Sequence, residues 1–98
     1  MTVRVQSEAD KELAESMLWY LTEGQSPRAA ERFAEEVESA YREIQKAPYR
    51  YPARKKGLRA WPLKKFPFSI IYFIEQDEIV VASVYHHKRS RSFLNRRR

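Results

Sequence analysis

Ninety-eight residues make one small domain, large enough for one core. A composition that is 43% hydrophobic, 33% charged and 13% aromatic is that of a soluble globular domain and excludes a disordered tail. There is no cysteine, which removes disulfides, thiolate zinc sites and cysteine nucleophiles together. The first twelve residues hold no apolar core of a secretory signal, and the longest near-apolar run, residues 66–74, is too short to span a bilayer. The expectation is a cytoplasmic protein with no membrane association. The net charge of +6 is unevenly spread, with residues 1–47 at −4 and residues 48–98 at +10. A half this basic points to an anionic partner: nucleic acid, a phosphorylated ligand or an acidic protein.

Residues 2–6 alternate, with Val3 and Val5 set against Thr2, Arg4 and Gln6, and predict a short strand with one buried face. Ser7, with Asp10 three residues on, reads as a capping pattern opening a helix. Leu13, Met17, Tyr20 and Leu21 form that helix's apolar stripe, and Gly24 is expected to end it as a residue free to take positive φ. Ser26 and Pro27 then open a second helix as N-cap and first helical residue. Ala30, Phe33, Val37, Ala40, Tyr41 and Ile44 make its stripe, and Pro48 stops it near Lys46. The short link between the helices predicts an αα-hairpin. Both stripes are explained by core packing, with no cofactor.

Residues 49–57 form a polar loop rich in lysine and arginine. Residues 58–63 read as a strand, which Pro62 confines to a sheet edge or a bulge. Residues 66–75 are apolar on both faces, as a central strand would be. Gln76 and Asp77 make a turn, and residues 79–87 form the partner strand of a β-hairpin. A basic tail, residues 88–98, follows, with Phe93 and Leu94 as its apolar anchors. The expected fold is α+β: a two-layer sandwich in the order β-α-α-β-β-β, with the αα-hairpin on one face of a mainly antiparallel sheet and the other face open.

The last strand is where chemistry is expected. Val80, Ala82 and Val84 are assigned to the helix-covered face, and Ile79, Val81, Ser83, Tyr85 and His87 to the open one. His86 is then the structural histidine and His87 the functional one. Adjacent histidines point to opposite sides of a strand and no acidic residue stands beside them, so a metal site is not expected. Cleavage of RNA needs a base for the 2′-hydroxyl, an acid for the leaving oxygen and cations for the charge on phosphate. His87, Lys64 and Arg59 are the candidates for that work. Lys65, Tyr85, His86, Lys88, Arg89 and Arg91 are the candidates for contacting nucleic acid or another target.

The phrase AAERFAEEVESAYREIQKAP and the run GLRAWPLKKFPFSIIYFIEQDEIVVASVYHHKRS, on this order of elements, resemble the RelE/ParE toxin superfamily of type II toxin–antitoxin modules. The pattern is G-L-R at 57–59, an aromatic-apolar strand with Tyr72, an acidic turn, and Val84-x-His86 followed by Lys and Arg. The resemblance implies a growth-arresting toxin that either cleaves mRNA on the ribosome or acts on DNA gyrase. It implies no cofactor, a cognate acidic antitoxin as partner, and operator DNA bound only through the antitoxin complex. Lys64 and His87 match two basic positions of the nuclease branch. Ser69 stands where that branch commonly has arginine, and Phe93 where it has a C-terminal tyrosine or histidine. The alternative to a toxin is a non-toxic domain that binds nucleic acid on a basic sheet face.

Overall fold

The computed structural model describes residues 1–90 and 97. The chain runs β1 (Thr2–Val5), α1 (Ser7–Thr22), α2 (Pro27–Lys46), a single 3-10 turn (Lys55–Gly57), β2 (Arg59–Pro62), β3 (Phe68–Glu75) and β4 (Glu78–His86). The sheet order is β1-β4-β3-β2, with β1 parallel to β4 and the other two pairings antiparallel. This is the expected α+β sandwich, with β2 at the edge where Pro62 requires it.

The helix boundaries follow local chemistry, with two departures. Ser26 caps α2 as expected: its Oγ accepts from the Ala29 amide at 3.1 Å, and Pro27 occupies the first helical turn. Ser7 does not cap α1. Gln6 holds the cap position, its carbonyl accepting from Ala9 and Asp10 while its own amide continues the sheet to Val81 O, so Ser7 is already helical. At the other end of α1, Gly24 does not take positive φ; Gln25 does, at 49°. Glycine suits 24 for a different reason. A Cβ there would lie 3.1 Å from Tyr20 O and 3.2 Å from its Cα, both backbone atoms, so the helix end would have to give by a few tenths of an ångström. The β3–β4 turn is the expected one, with Gln76 at φ 51° and Asp77 at φ 60°, both left-handed as a two-residue hairpin of matching twist demands.

The faces of β4 depart from simple alternation, because the strand carries a bulge. Ile71 pairs with Ser83 and Tyr72 with Val81, leaving Ala82 as the extra residue. Before the bulge, Ile79 and Val81 face the helices; after it, Val84 does. Val80 and Ala82, expected on the helix-covered side, instead join Leu58, Ile71, Phe73 and Tyr85 in a second cluster on the opposite side. That side is therefore not an open polar surface: all six side chains are buried. The helix-side core packs Phe33, Val37, Ala40 and Ile44 of α2 against Ile70, Tyr72, Ile79, Val81 and Val84. Burying each large apolar side chain there contributes about 1.5–3 kcal/mol. Tyr72, fully enclosed, spends its hydroxyl on Pro48 O at 2.8 Å and so pins the end of α2 to the sheet.

Helix α1 sits differently from its stripe. Leu13, Met17 and Tyr20 pack on the core, but Leu21 is 46% exposed, with Leu18 at 58% and Trp19 at 55% beside it. The buried positions of α1 are Ala9 and a carboxylate, Glu12.

Candidate functional site

Where α1 passes the end of β4, a cleft of about 440 Å³ opens. Trp19, Tyr20, Phe68 and Val84 supply its apolar surface; Lys88 and Arg89 supply positive charge, His86 a ring N–H, and Glu12 and Glu15 carboxylates. Tyr20 and Phe68 are held in place by aromatic packing on Phe33, at centroid separations of 5.5 and 4.7 Å.

The chain leaving β4 is fixed by several short contacts. The Arg89 amide donates to His86 O at 3.0 Å, the Lys88 amide donates to His86 Nδ1 at 3.0 Å, and the Tyr85 hydroxyl donates to Arg89 O. With Nδ1 accepting, the neutral His86 ring carries its proton on Nε2. Burial, then the nearby charges of Lys88, His87 and Arg89, hold the His86 pKa below its ordinary value. Its ring stands edge-on to Phe68, 4.8 Å between centroids. His86 therefore reaches the helix side, as the sequence reading had it, but it lines the cleft.

Glu12 organises this end of the molecule. Its carboxylate accepts from Ser83 Oγ at 2.9 Å, the Val84 amide at 3.1 Å, Arg89 at 2.7 Å and Arg97 at 3.0 Å. Arg97 also donates to Ala82 O at 2.9 Å and lies 3.5 Å from Glu8. Sequence reasoning missed Glu12, Trp19 and Arg97. The signal for Glu12 was a charged residue three positions after Ala9 and eight before Tyr20, within the helical stripe.

The three residues expected to do chemistry are not gathered in one place. Arg59 lies on the helix side of β2: it pairs across from Tyr72, donates to Tyr51 O at 2.5 Å and stacks on the Tyr49 ring at 5.1 Å. His87 lies on the opposite side, just beyond β4, where its Nε2 is 2.9 Å from Ser69 Oγ. Lys64 is exposed in the β2–β3 turn beside Lys65, and both amides are tied to Glu36. Tyr85 is buried on the second face, while Lys88 and Arg89 reach the cleft. Arg91, Phe93 and Leu94 lie outside the described residues. Among the described residues no three His, Asp or Glu side chains cluster as metal ligands, and no helix is long and apolar enough to cross a membrane.

Residues 3–91 match the model of the ParE toxin of the type II toxin–antitoxin system parDE, and the chain belongs to that family. Its fold is similar to that of a chain from the chromosomal ParDE toxin–antitoxin system of P. aeruginosa. The TM-score is 0.74 at 18% identity, covering 88% of this chain and 95% of that one. No curated protein matches the sequence.

Proposed function

We propose that this type II toxin arrests growth by binding DNA gyrase rather than by cutting mRNA, and that an acidic antitoxin silences it by occupying the cleft between α1 and the end of β4. The observation that carries the first part is the separation of Arg59 from His87. General acid–base work and phosphate stabilisation must converge within hydrogen-bond reach of one scissile bond. Arg59 is committed to Tyr51 O and the Tyr49 ring on the helix side, and His87 stands across the sheet with Ser69. Ser69 in place of arginine adds to this reading.

The test is induced expression, with mRNA 5′ ends and plasmid supercoiling followed in one culture. Loss of supercoiling or double-strand breaks, with intact mRNA, is the expected result, and His87→Ala should stay toxic. Codon-phased mRNA cuts that vanish in a folded His87→Ala protein would reverse the assignment, with Lys64 and His87 as the residues to pursue.

The cleft supports the second part. Apolar walls of Trp19, Tyr20, Phe68 and Val84 with Lys88 and Arg89 at the rim suit an amphipathic acidic segment, in which apolar side chains give affinity and charges speed encounter. Neutralising Lys88, Arg89 and Arg91 together should lower the association rate about tenfold at low salt. Trp19→Ala should instead speed dissociation. An antitoxin that binds both variants like the wild type docks elsewhere.

A further inference from the structure

The turn joining β2 to β3 aims its main chain at a single carboxylate. The amides of Lys64 and Lys65 both donate to Glu36 of α2, Lys64 to Oε2 and Lys65 to Oε1 at 3.3 Å. Neither lysine ammonium takes part. Both side chains are exposed and make no ion pair among the described residues. Two successive main-chain N–H groups converging on one oxyanion is an arrangement proteins use to hold phosphate. A lone carboxylate leaves the two ammonium groups beside it unused.

The His87 amide donates to Pro67 O at 2.9 Å, which ties the end of β4 to the residue before β3 and fixes the far end of this turn. An anion arriving at the turn meets two amides, two exposed lysines and one competitor, Glu36.

We propose that the Lys64–Lys65 turn is a phosphate-binding site and that Glu36 is its built-in competitor. A phosphate oxygen replaces the Glu36 oxygens on the two amides, the lysine ammonium groups neutralise it, and the half-buried Glu36 side chain turns to solvent. The ligand is a phosphate group, carried either by a nucleic-acid backbone or by free phosphate or a nucleotide. This site does not depend on gyrase being the toxin's target.

The test is a titration of the full chain, followed by ¹⁵N–¹H spectra at constant ionic strength, first with inorganic phosphate and then with a short DNA duplex. The Lys64 and Lys65 amide signals should move and saturate. Glu36→Gln should tighten binding about tenfold, because it removes a full negative charge a few ångströms from the anion. Lys64→Ala with Lys65→Ala, both exposed and harmless to the fold, should weaken binding about tenfold, two charges lost near the ligand. Tighter binding of the duplex assigns a backbone phosphate; a response to phosphate alone assigns a free or nucleotide phosphate. The proposal fails if the two amides stay still in folded Glu36→Gln protein, or if that variant binds no tighter than wild type. Should Glu36→Gln not fold, the lysine variant decides alone: binding equal to wild type overturns the site.

Discussion

Removing the Glu12 carboxylate should loosen α1 from the end of β4 at once. Glu12 is 6% exposed, and four groups depend on it: the Ser83 hydroxyl, the Val84 amide, Arg89 and Arg97. In Glu12→Ala the first two become buried donors without that acceptor, and Arg97, with only 11% of its side chain exposed, loses its nearest carboxylate and keeps Glu8 at 3.5 Å and Ala82 O. Two unsatisfied buried donors at about 1–3 kcal/mol each, with the weakened ion pair added, put the cost at about 3–5 kcal/mol. Arg89 adds little, since its side chain is 46% exposed and water screens it. At roughly 4–8 °C per kcal/mol in a domain of this size, Tm should fall by about 12 °C or more. Glu12→Gln keeps an oxygen for Ser83 and Val84 and loses only the charge, so it should cost about 1–3 kcal/mol. Arg89→Ala should cost under about 1 kcal/mol. Thermal unfolding by circular dichroism and the urea midpoint read all three. A Tm drop below about 4 °C for Glu12→Ala would refute the reasoning, since that is under about 1 kcal/mol. So would Arg89→Ala matching it.

Ser26→Ala should remove the cap of α2 and cost about 1 kcal/mol in urea unfolding, with Ser26→Asp close to wild type. Tyr41 has a buried hydroxyl without a partner among the described residues, and burial, with Asp10 and Glu38 nearby, raises its pKa well above the ordinary 10.0. The protonated phenol is favoured in the folded state, so its stabilising effect is full below pH 10 and is lost as pH rises beyond it. Tyr41→Phe should be neutral or stabilising by up to about 1 kcal/mol at neutral pH and should flatten the alkaline unfolding limb. The lowered His86 pKa has the opposite sign: the neutral ring is favoured in the folded state, so stability holds above the ordinary value of 6.5 and falls as pH drops below it. His86→Asn, which keeps an acceptor for the Lys88 amide, should flatten that acid limb; an unchanged slope would mean another group titrates there.

Local order was legible in the residues themselves. The α2 stripe, the Ser26–Pro27 start and the Gln76–Asp77 turn rest on contacts a few positions apart, and each lies where its side chains require. Pro62 marked β2 as an edge because a missing amide donor is tolerated only there. The capping of α1 was misread because Gln6 must also complete the ladder to Val81, a demand made by a strand far along the chain. Three decisions belong to the tertiary structure alone. One extra residue at Ala82 changes which side chains of β4 face the helices, and nothing in a period-two pattern marks it. Glu12 is tolerated inside only because Ser83, Val84, Arg89 and Arg97, all more than 70 positions away, supply its hydrogen bonds. Arg59 and His87 stand on opposite sides of the sheet through strand parity and pairing, which composition and charge do not encode. Basic residues near one another in the chain show that an anion is wanted; the fold decides which of them can meet around it.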